Sequence, residues 1–149
     1  YDPFSFTHQR GVLQASTLYY NREMPYPGDI EYYRDFERVV NGNENTLSKY
    51  TAMDYRYIAD GLAPAAEFIR RNPDKILWCG EFGTIRHCRI DRRENWMRDV
   101  IKFLKENEIP YCVWNYLSTP NDGNRFSLVD DDTRRILSES IAEIIRGNV

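Results

Sequence analysis

The sequence predicts an α/β fold of parallel strand–helix units, and three observations carry that expectation. Short, wholly apolar runs at residues 76–80 and 109–114 alternate with longer segments of helical periodicity. Those runs lack the polar–apolar alternation of a half-exposed sheet, as strands covered on both faces do. The connections between them are long enough to hold a helix, which parallel pairing requires. Each unit takes roughly 30 residues or more, and a closed eight-unit barrel about 250. A chain of 149 residues holding about three units is one domain in size, yet too short to be a whole barrel.

The elements follow in order. Residues 1–16 read as a strand end and a loop, with Pro3 keeping Asp2 extended. A long insertion at about 17–50 holds Pro25, Pro27, Gly28 and the turn cluster NGNEN, with helical potential at 32–40. Connections of this length inside a compact domain are usually functional loops or poorly ordered ones. Its tyrosines Tyr19, Tyr20, Tyr26, Tyr32 and Tyr33 fit either a cleft wall or simple packing.

Ile58, Leu62, Ala65, Ala66 and Ile69 recur at helical spacing, and the RRNP stretch ends that helix near Asn72. The run at 76–80 is the next strand, with Trp78 in the core. Asp91 and Glu94 have the spacing of a capping box. Behind them Trp96, Val100, Phe103 and Leu104 line one face of a second helix ending near Asn107. The run at 109–114 is the following strand. The acidic run 130–132 then suits a helix start, with Asp132 as the cap and Leu137, Ile141, Ile144 and Ile145 as the inner face.

Composition narrows the function. A net charge of -3 and a pI near 5.5 give no basic field, against nucleic acid as the main partner. No apolar run approaches the ~20 residues of a membrane span, and the opening YDPFSF is neither a signal nor a transit segment. The absence of an initial methionine fits a mature, processed or truncated product. Cys79, Cys88 and Cys112 are odd in number and form no CxxC, so they indicate neither a disulfide framework nor zinc. Cys79 and Cys112, lying in apolar runs, are expected to be buried thiols. His87 beside Cys88 lacks further ligands at suitable spacing, so no metal is expected. Aromatic residues make up 14% of the chain, more than a small core needs, and their flat faces suit stacking on sugar rings.

The residue that demands an explanation is Glu81, set between Gly80 and Phe82 at the end of the apolar run. It is either a solvated strand end or a reactive group. In parallel α/β folds, reactive groups stand at the carboxyl ends of strands. Trp114 ends the next strand in the same way. A carboxylate beside an indole suits glycoside cleavage, the first attacking the anomeric carbon while the second offers the sugar an apolar floor.

Three motifs carry a family resemblance: YDPFSFTHQ at 1–9, CGEFG at 79–83 and VWNY at 113–116. With MPYPG at 24–28 and the register of 95–116, they resemble the last three strands of glycoside hydrolase family 5, the cellulase family of retaining (β/α)8 barrels. The resemblance spans nearly all of residues 1–149. It implies the carboxyl-terminal portion of a TIM barrel, about strands 6–8 with their helices, incomplete as a stand-alone chain. Glu81 then matches the catalytic nucleophile and Tyr1 the tyrosine that orients it. Trp114 matches the aromatic platform; beside it, Tyr116 is expected as a further substrate contact and His8 either as a substrate contact or as a support behind the site.

The chain also departs from the family pattern. The His of the H-x-Y motif falls ahead of Tyr1, and the N-E dipeptide bearing the general acid/base is absent, since neither Asn43-Glu44 nor Asn107-Glu108 follows a strand. Retention needs two carboxyl groups ~5–5.5 Å apart, and this chain offers one candidate.

The resemblance implies a secreted or periplasmic glycosidase of cellulase type. It would hydrolyse β-1,4-glucan polysaccharide or oligosaccharide without a cofactor, its acid/base coming from an amino-terminal half. The chain alone would be nearly inactive, and the partner is that half, in a parent chain or a separate fragment, or else a second copy. A mannanase or xyloglucanase of the same family, and a non-catalytic half-barrel that binds carbohydrate or self-assembles, are the alternatives.

Overall fold

In the computed structural model, residues 1–11, 19–43, 45–119 and 121–147 are described. The chain enters through Tyr1–Pro3 into a one-turn helix, α1 (Phe4–Thr7), where a loop was expected. Phe6 anchors it in the core, and its ring meets Tyr26 and Trp96. Residues 12–16 of the expected loop lie outside the described residues.

The insertion is built around a two-residue antiparallel ribbon, β1 (Gly28–Asp29) with β2 (Ala52–Met53). Between them lie α2 (Ile30–Phe36), capped by the Asp29 side chain on the Glu31 amide, and a π-helical turn over Glu37–Asn41. Ile30, Tyr33 and Phe36, three residues apart, form the buried stripe of α2. Tyr26 and Tyr33 are therefore core residues, with Tyr26 hydroxyl donating to Asp99 and Tyr33 hydroxyl to the Pro25 carbonyl. Tyr19 and Tyr32 face solvent. The ribbon was not legible in the sequence, because two-residue strands carry no periodicity.

The remainder is the expected succession. Helix α3 (Tyr55–Arg71) is capped by Asp54 and ends at Asn72, as the spacing predicted. Strand β3 (Cys79–Phe82) leads to α4 (Ile90–Glu106), and strand β4 (Tyr111–Val113) is followed at a distance by α5 (Glu139–Arg146). β3 and β4 are parallel, with Cys79 opposite Tyr111 and Phe82 opposite Val113. α4 packs against both α3 and α5. Its inner stripe of Trp96, Met97, Val100, Ile101, Phe103 and Leu104 is the centre of the core.

Several expectations need correction. The helix at 90–106 has no side-chain cap: Arg89 holds the N-cap position, Asp91 pairs with Arg89, and Glu94 accepts hydroxyls from Ser138 and Ser140 instead. Asp132 does not start the last helix. Asp130 and its neighbours form a self-contained turn, Asp130 accepting from the amide and hydroxyl of Thr133. Ser138 is the cap, accepting from the Ile141 amide, and Leu137 ahead of it is exposed.

The run at 76–80 is not covered on both faces: Ile76 is 88% and Trp78 60% exposed. Cys112 is also exposed and Cys79 half-buried, whereas Cys88 is the buried thiol. The physical reason is common to all four. Among the described residues the sheet has two strands, so one face of each strand has helices against it and the other has no second layer.

Candidate active site

The site is assembled where the opening segment of the chain meets the loops that leave β3 and β4. Phe82 turns inward, its ring against Trp96 and Tyr111. Its neighbour Glu81 is exposed and borders a cavity shared with Tyr1, Ile58, Leu62 and Trp96, at the point where the β3–β4 register is irregular. The Tyr1 hydroxyl donates to Glu81 Oε1. Burial, then the bond to Glu81, raises the Tyr1 pKa well above the usual phenolic value. The phenol therefore stays a hydrogen-bond donor to the carboxylate throughout the working pH range.

Tyr1 is held from several sides. Thr7 Oγ1 donates to its carbonyl oxygen at 2.8 Å. Its ring packs edge-on against Phe126 and His8, with centroids 5.7 and 5.2 Å away. The next residue is fixed by the Trp96 indole, which donates to the Asp2 carbonyl, and by Tyr57 hydroxyl on the Asp2 carboxylate at 2.9 Å. Trp96 thus serves the core and the site at once.

His8, expected as a substrate contact or as a support, is 8% exposed and lies behind Tyr1, stacked on Phe4 at 4.1 Å with Nδ1 3.0 Å from Thr7 Oγ1. Burial lowers its pKa to about 4, so the imidazole is neutral at neutral pH. It presents no surface to a sugar; its contact is with the tyrosine.

Trp114 stands one backbone hydrogen bond away from the Glu81 strand, its amide donating to the Phe82 carbonyl at 2.7 Å. It is 44% exposed, and Tyr116 two residues on is 63% exposed. Gly83 makes this closeness possible: a β-carbon there would lie 2.0 Å from the Trp114 carbonyl oxygen.

The loops are stitched to one another. Ile85 amide donates to the Thr7 carbonyl and Arg86 amide to the Arg125 carbonyl. Asp131 pairs with Arg125 at 2.6 Å and Arg86 at 3.8 Å. Ser118 and Ser127 close the loop after β4 through side-chain bonds to backbone amides. Thr7, Asp2, Tyr57, Phe126 and Asp131 were not singled out from the sequence. Their partners are mostly distant in the chain, and only the fold brings them together. Among the described residues no group of three or more His, Cys, Asp or Glu side chains is placed to hold a metal.

A carboxylate near the end of one strand is thus held by a phenol, and the parallel neighbouring strand leads directly into an exposed indole. No family model matches the chain. It is 33% identical over 153 aligned residues to Endoglucanase C of Acetivibrio thermocellus, a match covering 97% of this chain and 40% of that protein. Two solved structures of Thermotoga maritima Cel5A have the same fold over 97% of the chain. The complex with cellobiose is 18% identical with a TM-score of 0.65, and 37% of it is covered. The complex with mannotriose is 19% identical with a TM-score of 0.64, and 36% of it is covered. Motifs, sequence relatives and fold agree: the chain is a carboxyl-terminal portion of a family 5 glycoside hydrolase barrel. It spans about two fifths of the length of the curated relatives it matches.

Proposed function

We propose that this chain supplies the nucleophile-bearing part of a retaining β-1,4-glycanase, with an endoglucanase as the activity of the completed barrel. The observation that carries the reading is the Tyr1–Glu81 hydrogen bond at the end of β3, next to Trp114. Glu81 attacks the anomeric carbon as the glycosidic C–O bond breaks, forming a glycosyl-ester on Oε. A carboxylic acid from the amino-terminal half protonates the leaving oxygen. The same group, now a base, takes a proton from water, which attacks the anomeric carbon and releases Glu81. No cofactor takes part.

The residues divide the work. Tyr1 holds the carboxylate and remains protonated, His8 and Phe126 hold Tyr1, and Trp114 with Tyr116 offers flat apolar surface to pyranose rings. Endoglucanase names among the relatives and the sugar complexes of Cel5A support β-1,4-glucan as the substrate, with mannan as the alternative. Polysaccharide of this size is cut outside the cell, so the working location is secreted or periplasmic. No described helix is long and apolar enough to cross a membrane.

The uncovered sheet face and the exposed Ile76 and Trp78 favour completion of the barrel by an amino-terminal part. A self-assembling or carbohydrate-binding half-barrel is the second reading that these surfaces support. Chemical rescue separates them. In a barrel completed with the amino-terminal part of Endoglucanase C, Glu81→Ala should abolish turnover. Azide should then restore cleavage of an activated aryl β-glycoside and yield the α-glycosyl azide. An active Glu81→Ala protein, or rescue giving the β-azide, removes Glu81 from the nucleophile's role.

A further inference from the structure

A groove of about 230 Å³ runs between α4, α5 and the loop after β4. Its walls are apolar, with Ile90, Leu128, Val129, Ile141 and Ile145 among them. Two arginines interrupt them, and Arg146 at one end already pairs with Glu143. Arg93, on the inner face of α4, is 4% exposed and lines the groove.

Among the described residues its hydrogen bond runs from Nε to Thr84 Oγ1 at 3.0 Å, and no carboxylate pairs with it. The neighbouring Cys88 thiol, pushed up to about 12 by burial, supplies no negative charge. No fully buried side-chain nitrogen or oxygen among the described residues lacks a partner, so the free N–H groups of the guanidinium keep access to the groove. A buried cation without a counter-charge is costly, and a carboxylate delivered to the same low-dielectric site relieves that cost.

We propose that this groove seats an apolar polypeptide segment carrying one carboxylate, supplied by the amino-terminal part of the barrel, and that Arg93 binds that carboxylate. The inference rests on the reading that such a part completes the barrel. Three features favour a chain segment. The groove follows α5 from Ser138 to Arg146, a length of about 12 Å at the helical rise. It is smaller than the roughly 300–1,000 Å³ of a small-molecule pocket. Its rim carries the exposed apolar side chains Ile136 and Leu137. The matched relatives supply the occupant, since the chain covers 40% of their length. The planar guanidinium also explains the choice of arginine, because it can grip a carboxylate through two parallel N–H bonds.

The test mixes the 149-residue chain with the amino-terminal part of Endoglucanase C that it does not match, and reads the dissociation constant by sedimentation or fluorescence. Wild type should bind. Arg93→Gln and Arg93→Met should weaken binding at least tenfold, while Lys102→Gln, an equal loss of charge on the far side of α4, should leave it unchanged. Equal affinity for wild type and the Arg93 variants overturns the inference but leaves barrel completion standing. No association of wild type overturns both.

If the Gln and Met variants lose their circular dichroism, Arg93→Lys decides. Carbodiimide should join its ε-amine to an Asp or Glu of the partner, with loss of water, and peptide mapping should find that amide. No such amide, or one running to a second copy of the chain, overturns the inference.

Discussion

At the scale of single residues the account rests on how Glu81 is held. Tyr1 gives it one hydrogen bond, and the tyrosine is in turn fixed by Thr7, His8 and Phe126. A hydrogen bond to a charged group contributes about 1.5–3 kcal/mol. In the completed barrel, Tyr1→Phe should therefore lower kcat roughly 10- to 100-fold. Urea denaturation should show an accompanying loss of stability no larger than that hydrogen bond contributes. His8 gives a stability prediction whose sign follows from its lowered pKa. Above its ordinary 6.5 the imidazole is neutral both folded and unfolded. Between about 6.5 and about 4 the unfolded chain takes up a proton that the folded one refuses. Stability should fall as the pH drops through that window, and His8→Gln should flatten the fall when urea midpoints at pH 7 and pH 5 are compared.

At the scale of elements, what could be read from the sequence depended on how local its cause was. The stripes Ile58–Ile69 and Trp96–Leu104, and the positions of Glu81 and Trp114 at strand ends, are set by neighbours a few residues away, and they were legible. The cap of the last helix was not. Asp130 satisfies its own turn, and the start passes to Ser138. Trp78 and Cys112 were expected in the core because an apolar strand usually is covered, but cover depends on layers that a strand's own sequence does not encode. Tyr1 was placed at the site by its motif, whereas Asp2, Tyr57 and Phe126 carry no local signal at all. The contact between β3 and β4 yields its own prediction. Gly83→Ala forces a β-carbon onto the Trp114 carbonyl, a backbone clash without a flexible atom to yield. It should destabilise by more than about 2 kcal/mol and displace the indole, seen as a lower thermal midpoint and a shifted tryptophan emission.

At the scale of the molecule, one layer is finished and the other is open. Phe82 of β3 packs on Trp96 of α4 and Tyr111 of β4 donates to the Ile145 carbonyl of α5, whereas Ile76, Trp78, Cys112, Trp114 and Tyr116 are exposed. The same openness accounts for the groove over Arg93 and for the single carboxylate at the site. Completion by the rest of a barrel would cover the groove, give Arg93 a counter-charge and bring the second carboxyl group. The most direct measurement is covalent trapping. The completed barrel is incubated with an activated 2-deoxy-2-fluoro-β-cellobioside, digested and mapped by mass spectrometry. One fluorinated cellobiosyl unit per barrel, esterified to Glu81 and absent from Glu81→Gln, is the predicted result. Turnover of substrate with the label on another carboxylate would contradict the account.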